Sequence, residues 1–277
     1  MFEQGMTRLH ELMIVLYAAS ILFYFIDFLQ QNRKANKIAF WLLAIVWILQ
    51  TIFLFLYMFR TGRFPVLTIF EGFYFYAWVL ITLSLSLNRL LRMDFTVFFT
   101  NILGFAFMAI HTFMPFQLQS ETMAEKLVSE LLLIHIVMAI LSYGAFSLSF
   151  IFSMLYLLQY HLLKRKKWSQ RLWRIGDLEK LEKMSYILNG IGVPILVLSL
   201  ILGLQWKFIK LPNVTLYDPK ILGSFILLIV YSVFLYLKVR KGMYGKNLAF
   251  INVLAFLIIL INFFLLSRLS TFHFWYM

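Results

Sequence analysis

The stretch YDPKILGSFILLIVYSVFLYLKV, residues 217–239, decides what kind of protein this is. Between Lys220 and Lys238 it carries no charge. Asp218 is the residue type that accepts from the first free amides of a helix, and Pro219 suits the first helical position, so a helix starts here. At about 1.5 Å per residue such a helix is long enough for the roughly 30 Å of hydrocarbon in a bilayer.

The same kind of run recurs along the chain. Of 277 residues, 62% are hydrophobic and 13% charged, with 31 Phe and a mean hydropathy of +0.86. Eight spans are expected, roughly 9–31, 37–60, 65–88, 94–115, 129–162, 185–205, 219–239 and 246–267. The fold class is therefore all-α: a polytopic integral membrane protein with eight transmembrane helices in a single membrane domain, 1–277. The fifth span is too long for one crossing and is expected to extend into the cytoplasm. The first is long and preceded by Glu3 and Arg8, so it reads as a retained helix and not a cleaved signal.

Charge sets the orientation. The formal charge is +13, and seventeen of the 25 Lys and Arg fall at 32–37, 89–93, 163–184 and 238–246. Basic loops face the cytoplasm, so both termini and loops 61–64, 116–128 and 206–218 are expected outside. The basic excess is thereby explained without nucleic acid. Loop 163–184 begins with Lys164, Arg165, Lys166 and Lys167 and continues with Trp168, Leu172, Trp173, Ile175, Leu178 and Leu181 at near-helical spacing. It reads as a cytoplasmic amphipathic segment meeting anionic headgroups of the bilayer; the alternative is a docking site for a cytoplasmic protein. The absence of Cys excludes thiol redox chemistry, thiolate ligation, disulfides and covalent c-type haem attachment on this chain.

Polar residues in apolar spans are the functional signal. His10, His111, His135 and His273 all fall towards the outer face, and His161 at the cytoplasmic end of span five. Imidazoles gathered at one face suit metal or haem ligation, or simply interfacial hydrogen bonding, the reading preferred for His10 and His111. His135 lies about 9 Å into its span. It heads a stripe of Ala139, Ser142, Phe146, Ser149 and Ser153 on one helix face. That stripe permits close helix packing or a planar ligand standing against small residues. Glu71, about two turns into span three, calls for a partner such as Arg60, Arg63 or an outer histidine. It either orients an imidazole or anchors the helix through a salt bridge. Asp27 is expected to meet Arg33 or Lys37. Pro194 should kink span six, beside Asn189, Gly190, Gly192 and Gly203. No Walker A loop, GxGxxG or HExxH occurs, and nothing points to hydrolytic or phosphoryl-transfer chemistry, so no enzyme activity is expected.

Several segments together resemble the cytochrome c assembly family, the haem-handling membrane proteins that include the CcsA-like and CcmC-like groups. They are Phe64-Pro65 through Phe70-Glu71, His135-Ile136-Val137 through Leu141-Ser142-Tyr143-Gly144-Ala145, Tyr217-Asp218-Pro219-Lys220, Gly242-Met243-Tyr244-Gly245-Lys246, and His273. The likeness covers roughly residues 60–277 and is nearest to the family's HemX branch. Family members carry a tryptophan-rich external loop ending W-D-P-K-E between two external histidines that ligate haem. The resemblance thus implies non-covalent haem b with His135 and His273 as axial ligands. Trp206 and Tyr217 would pack on the porphyrin, Asp218 would fix the loop, and Glu71, His111 and Lys220 would stand behind them. This chain departs from the pattern. Most loop tryptophans are gone, Tyr217 replaces the one before Asp218, Ile221 replaces the glutamate, and Lys238 stands where relatives carry a cytoplasmic-side histidine. Those departures speak against two-site haem delivery across the membrane.

The expected function is haem handling or regulation of haem biosynthesis in the cell membrane, that of a bacterium. Two alternatives stand beside it: a regulatory or structural membrane protein with a degenerate haem site acting through loop 163–184, and a small-solute transporter.

Overall fold

A computed structural model describes residues 2–91, 94–113, 129–166, 176–211 and 217–270. Among these residues there is no strand. The helices are α1 (Phe2–Gln30), α2 (Arg33–Thr61), α3 (Ile69–Leu91), α4 (Asp94–Phe113), α5 (Glu130–Lys164), α6 (Leu178–Lys210), α7 (Pro219–Val239) and α8 (Lys246–Leu260). The last continues through a π-helical segment, Ile261–Leu266, to a short turn at Ser267–Leu269. Eight helices are long and apolar enough to cross a membrane, so the chain is an all-helical multi-pass membrane protein.

Local chemistry explains the boundaries. Asn32 accepts from the amides of Lys34 and Ala35 at 3.0 and 3.3 Å, opening α2, and Ser129 accepts from Leu132 at 3.3 Å, opening α5. Asp218 accepts from the Lys220 amide at 2.8 Å with Pro219 at the helix start, as the sequence predicts. Gly62 ends α2 with φ +65°, a left-handed conformation that glycine adopts without strain. Helix α6 begins at Leu178, seven residues ahead of its expected apolar span, so residues 178–184 of the loop, with Glu179 and Glu182, form its first turns. Residues 167–175 of that loop lie outside the described residues.

Both faces of these helices are apolar, as a lipid environment demands. On α2, Ala39, Leu43, Val46 and Phe53 are buried, while Trp41, Ile45, Ile48, Ile52 and Phe55 are exposed. The second set is the lipid-facing stripe.

The helices form two compact units. The first holds α1, α2, nearly all of α3, and α4. Trp47 donates to Thr82 at 2.8 Å and Trp78 to Thr51 at 2.9 Å, joining α2 to α3 through polar pairs. Asn36 donates to the buried Asp27 at 2.9 Å across the α1–α2 turn. Glu71 accepts from Tyr57 at 2.5 Å and takes both guanidinium nitrogens of Arg63, at 2.9 and 3.0 Å. The carboxylate is thus satisfied by a forked cation and a phenol, an arrangement that anchors α3 to the end of α2.

The second unit holds α5 to α8. Its core is a polar knot inside apolar walls. Asn252 reaches the hydroxyls of Ser149, Ser153 and Ser185 at 2.8, 2.8 and 3.0 Å, and Asn189 donates to Asn252 at 2.9 Å. All five residues are at most 3% exposed. The lower part of the predicted stripe, Ser149 and Ser153, therefore serves helix packing. One level along, Phe146 stacks on Tyr231 with centroids 3.8 Å apart, and Gly192 lets α6 close over the ring.

Candidate functional site

The end of the second unit where α5 begins gathers most of the residues singled out above. The imidazole of His135 is held by α6. Its Nδ1 lies 2.6 Å from the Ser199 carbonyl oxygen and 3.0 Å from the Ser199 hydroxyl, which itself donates to the His135 carbonyl at 2.9 Å. A carbonyl only accepts, so Nδ1 carries the proton and Nε2 keeps its lone pair. Among the described residues Nε2 makes no hydrogen bond. The ring lies against Gly203: a Cβ there would sit 2.6 Å from Cε1, 2.7 Å from Nδ1 and 3.0 Å from Nε2. Ser199 and Gly203 are one turn apart, so a single stretch of α6 supplies both the anchor and the space.

Trp206, one turn further along α6, is 6% exposed. It packs with Ile221, Leu131, Leu132, Leu204 and Leu211, which ties the starts of α5 and α7 to the end of α6. Asp218 is 3% exposed; one carboxylate oxygen caps α7 and the other accepts from Ser270 at 3.0 Å. The Asp-Pro-Lys loop is therefore pinned to the segment that leads towards His273. Tyr217 is 84% exposed at the turn, without the burial that Trp206 has.

Lys220 turns back into this end of the unit. Its Nζ donates to the Asn262 carbonyl at 3.0 Å. That carbonyl lies in the π-helical segment, which takes it out of the ordinary α-helical ladder and leaves it open to a side-chain donor. The Asn262 side chain donates to Tyr143 at 3.0 Å, while its own Oδ1 is buried without a hydrogen-bond partner. An orphaned buried carbonyl beside a half-buried lysine is unusual in a region needed only for packing.

The structure thus brings His135, Trp206, Asp218 and Lys220 to one end of one unit. His273 lies outside the described residues. Glu71 and His111 belong to the first unit, where Glu71 has the partners given above and His111 Nδ1 lies 2.9 Å from the Phe70 carbonyl oxygen. Ser199, Gly203 and Asn262 were not legible as site residues. The spacing Ser199-x-x-x-Gly203 on a predicted span was the available signal, since small residues one turn apart mark close approach of a neighbouring side chain or helix. Among the described residues no three His, Cys, Asp or Glu side chains form a metal-binding group.

At the opposite end of α7, Lys238 forms an ion pair with Glu182 of α6, and the other Glu182 oxygen accepts from the Gly245 amide at 2.9 Å. At the position where the resemblance implies a histidine, this chain has a lysine that joins α6 to α7. A cleft of about 520 Å³ opens beside it, lined by Tyr156, Tyr186 and Tyr244 among others.

The sequence profile of the family described as cytochrome C assembly protein matches residues 66–273. Over 273 residues, 99% of each chain, the sequence is 60% identical to Protein HemX of Bacillus subtilis (strain 168). It is 47% identical over 268 residues to Protein HemX of Brevibacillus brevis, covering 97% of this chain and 98% of that one. Cytochrome c biogenesis protein CcsA of Chlamydomonas reinhardtii is 25% identical over 209 residues, 72% of this chain and 57% of its own length. None of these descriptions is that of an enzyme. The chain belongs to the cytochrome C assembly protein family and, within it, to the HemX branch.

Proposed function

We propose that this protein binds haem b non-covalently at the His135 end of its second helical unit, on the external face of a bacterial cell membrane. It handles haem or regulates haem biosynthesis there, with no covalent catalysis of its own. The observation that carries the reading is His135. An imidazole anchored through Nδ1 to a backbone carbonyl, with Nε2 unengaged, is the form a haem-ligating histidine takes. Family membership supports a haem-related membrane function.

In this reading His135 Nε2 supplies one axial ligand and His273 the other, while haem supplies the iron. Gly203 keeps the imidazole upright by leaving its flank open. Trp206 and its leucine cluster make the neighbouring wall of the site apolar. An ammonium has three N–H donors, so Lys220 holds the Asn262 carbonyl and keeps donors for a propionate. Asp218 fixes the loop and the start of α7. Purified protein given haemin should show the bands of six-coordinate low-spin iron. His135→Ala and His273→Ala should each convert them to a high-spin spectrum. A spectrum unchanged by either substitution overturns the ligand assignment.

A second reading is favoured by Lys238 and its tight engagement with Glu182. Here the haem site is vestigial, and the protein acts on a cytoplasmic partner through the segment before α6. Replacing residues 167–175 by a neutral linker would then abolish function, while His135→Ala would not.

A further inference from the structure

We infer that the first helical unit holds a site for a soft monovalent metal ion, copper(I), built from His10, Met13, Met108 and His111. The four residues come as two matched pairs. His10 and Met13 are three apart on α1, and Met108 and His111 are three apart on α4, so each helix presents one imidazole and one thioether on the same face. Helices α1 and α4 pack together, and the imidazole centroids of His10 and His111 are 5.0 Å apart. A metal–imidazole bond of about 2 Å places each ring centroid about 3 Å from the ion, so a 5.0 Å separation lets both rings share one ion at roughly the tetrahedral angle.

The donor atoms are in the right state. His10 Nδ1 is buried and has no hydrogen-bond partner. His111 is engaged through Nδ1 by the Phe70 carbonyl, which leaves Nε2 as its ligating nitrogen. Met13 and Met108 are both 0% exposed. Their sulfurs meet only weak donors: the Tyr74 hydroxyl at 3.8 Å, which also donates to the Gln50 carbonyl at 3.0 Å, and the Gln50 amide at 3.6 Å. Tyr74 ties the pairs together, its ring 5.6 Å from His10 and 5.2 Å from His111.

The donor chemistry selects the ion. Thioethers are soft ligands that favour copper(I) over the harder divalent ions. All four donors are neutral, so the bound ion keeps its full charge among the apolar side chains of the first unit. A single positive charge is tolerated there far better than two. Packing alone does not require two histidines to face each other inside a helical bundle with a ring nitrogen unsatisfied.

The test is titration of haem-free, detergent-purified protein with copper(I), supplied anaerobically as its acetonitrile complex in competition with bicinchoninate. One equivalent should bind, and copper X-ray absorption should show both nitrogen and sulfur neighbours. His10→Ala with His111→Ala should weaken binding at least 100-fold. Met13→Leu with Met108→Leu conserves core volume and keeps the fold, and it should weaken binding at least tenfold and remove the sulfur signal. His135→Ala should leave copper binding unchanged, which separates this site from the haem reading. No uptake above a detergent blank, uptake that survives both pairs of substitutions, or displacement by an equal concentration of zinc(II) would overturn the inference.

Discussion

Adding one methyl group at Gly203 should disturb the His135 end of the second unit, while the same change at Gly190 on the same helix should not. At Gly190 a Cβ meets nothing within 4 Å. Gly190→Ala therefore gains only helix propensity, about 1 kcal/mol of stabilisation. At Gly203 the new Cβ lies 2.6 Å from His135 Cε1, where ordinary contact begins at 3.4 Å, so the imidazole must give way by about 0.8 Å. It cannot move freely, because Nδ1 is held 2.6 Å from the Ser199 oxygen. Overpacking of this kind costs about 1–3 kcal/mol, and loosening the hydrogen bond adds roughly 1 kcal/mol. After the propensity gain, Gly203→Ala should be less stable than Gly190→Ala by about 2–4 kcal/mol. Disturbing the support of a metal-ligating histidine typically lowers affinity about 10–100-fold, so haemin affinity should fall by that factor in Gly203→Ala alone. The assay is reversible unfolding in mixed micelles together with a haemin titration of each variant. Equal stability of the two variants would refute the packing described for His135, whatever the haem result.

Asn252→Ala removes the amide that joins three serine hydroxyls in the core of the second unit and should destabilise it by about 1–3 kcal/mol, read from unfolding in detergent. Arg63→Ala leaves the Glu71 carboxylate, 8% exposed, with Tyr57 but without its forked cation, and should cost about 1–3 kcal/mol. Glu71→Gln in the same background should restore most of that loss, which a double-mutant cycle measures. Lys238→Ala should cost about 1–2 kcal/mol by freeing Glu182, with no effect on haemin affinity, because Lys238 lies at the other end of α7 from Lys220.

The number of crossings and the helical class were legible because a bilayer imposes a length on each apolar run. The start of α7 was legible because Asp218 and Pro219 act locally. What stayed hidden depends on which helix face meets which neighbour. On α5 the serine stripe admitted two readings. Ser149 and Ser153 turn out to bond Ser185 and Asn252, whereas His135 of the same stripe meets Ser199 and Gly203. Residues 32 to 103 positions apart in the chain make those contacts, and no local pattern announces such pairings. His10 and His111 read as separate interfacial histidines; their rings are 5.0 Å apart inside the first unit. The start of α6 ahead of its apolar span was masked by polar residues, because a helix that leaves the membrane need not remain apolar. Glu71 was legible as a residue requiring a partner, and Arg63 was among those expected.

The central claim is that His135 carries haem on Nε2. The most direct measurement is the absorption spectrum of detergent-purified protein with one equivalent of haemin, taken beside His135→Ala at matched folding. A sharp low-spin Soret band in the parent chain, lost or shifted to high spin in the variant, is the predicted result. No Soret band distinct from free haemin, or the same band in both proteins, would contradict it.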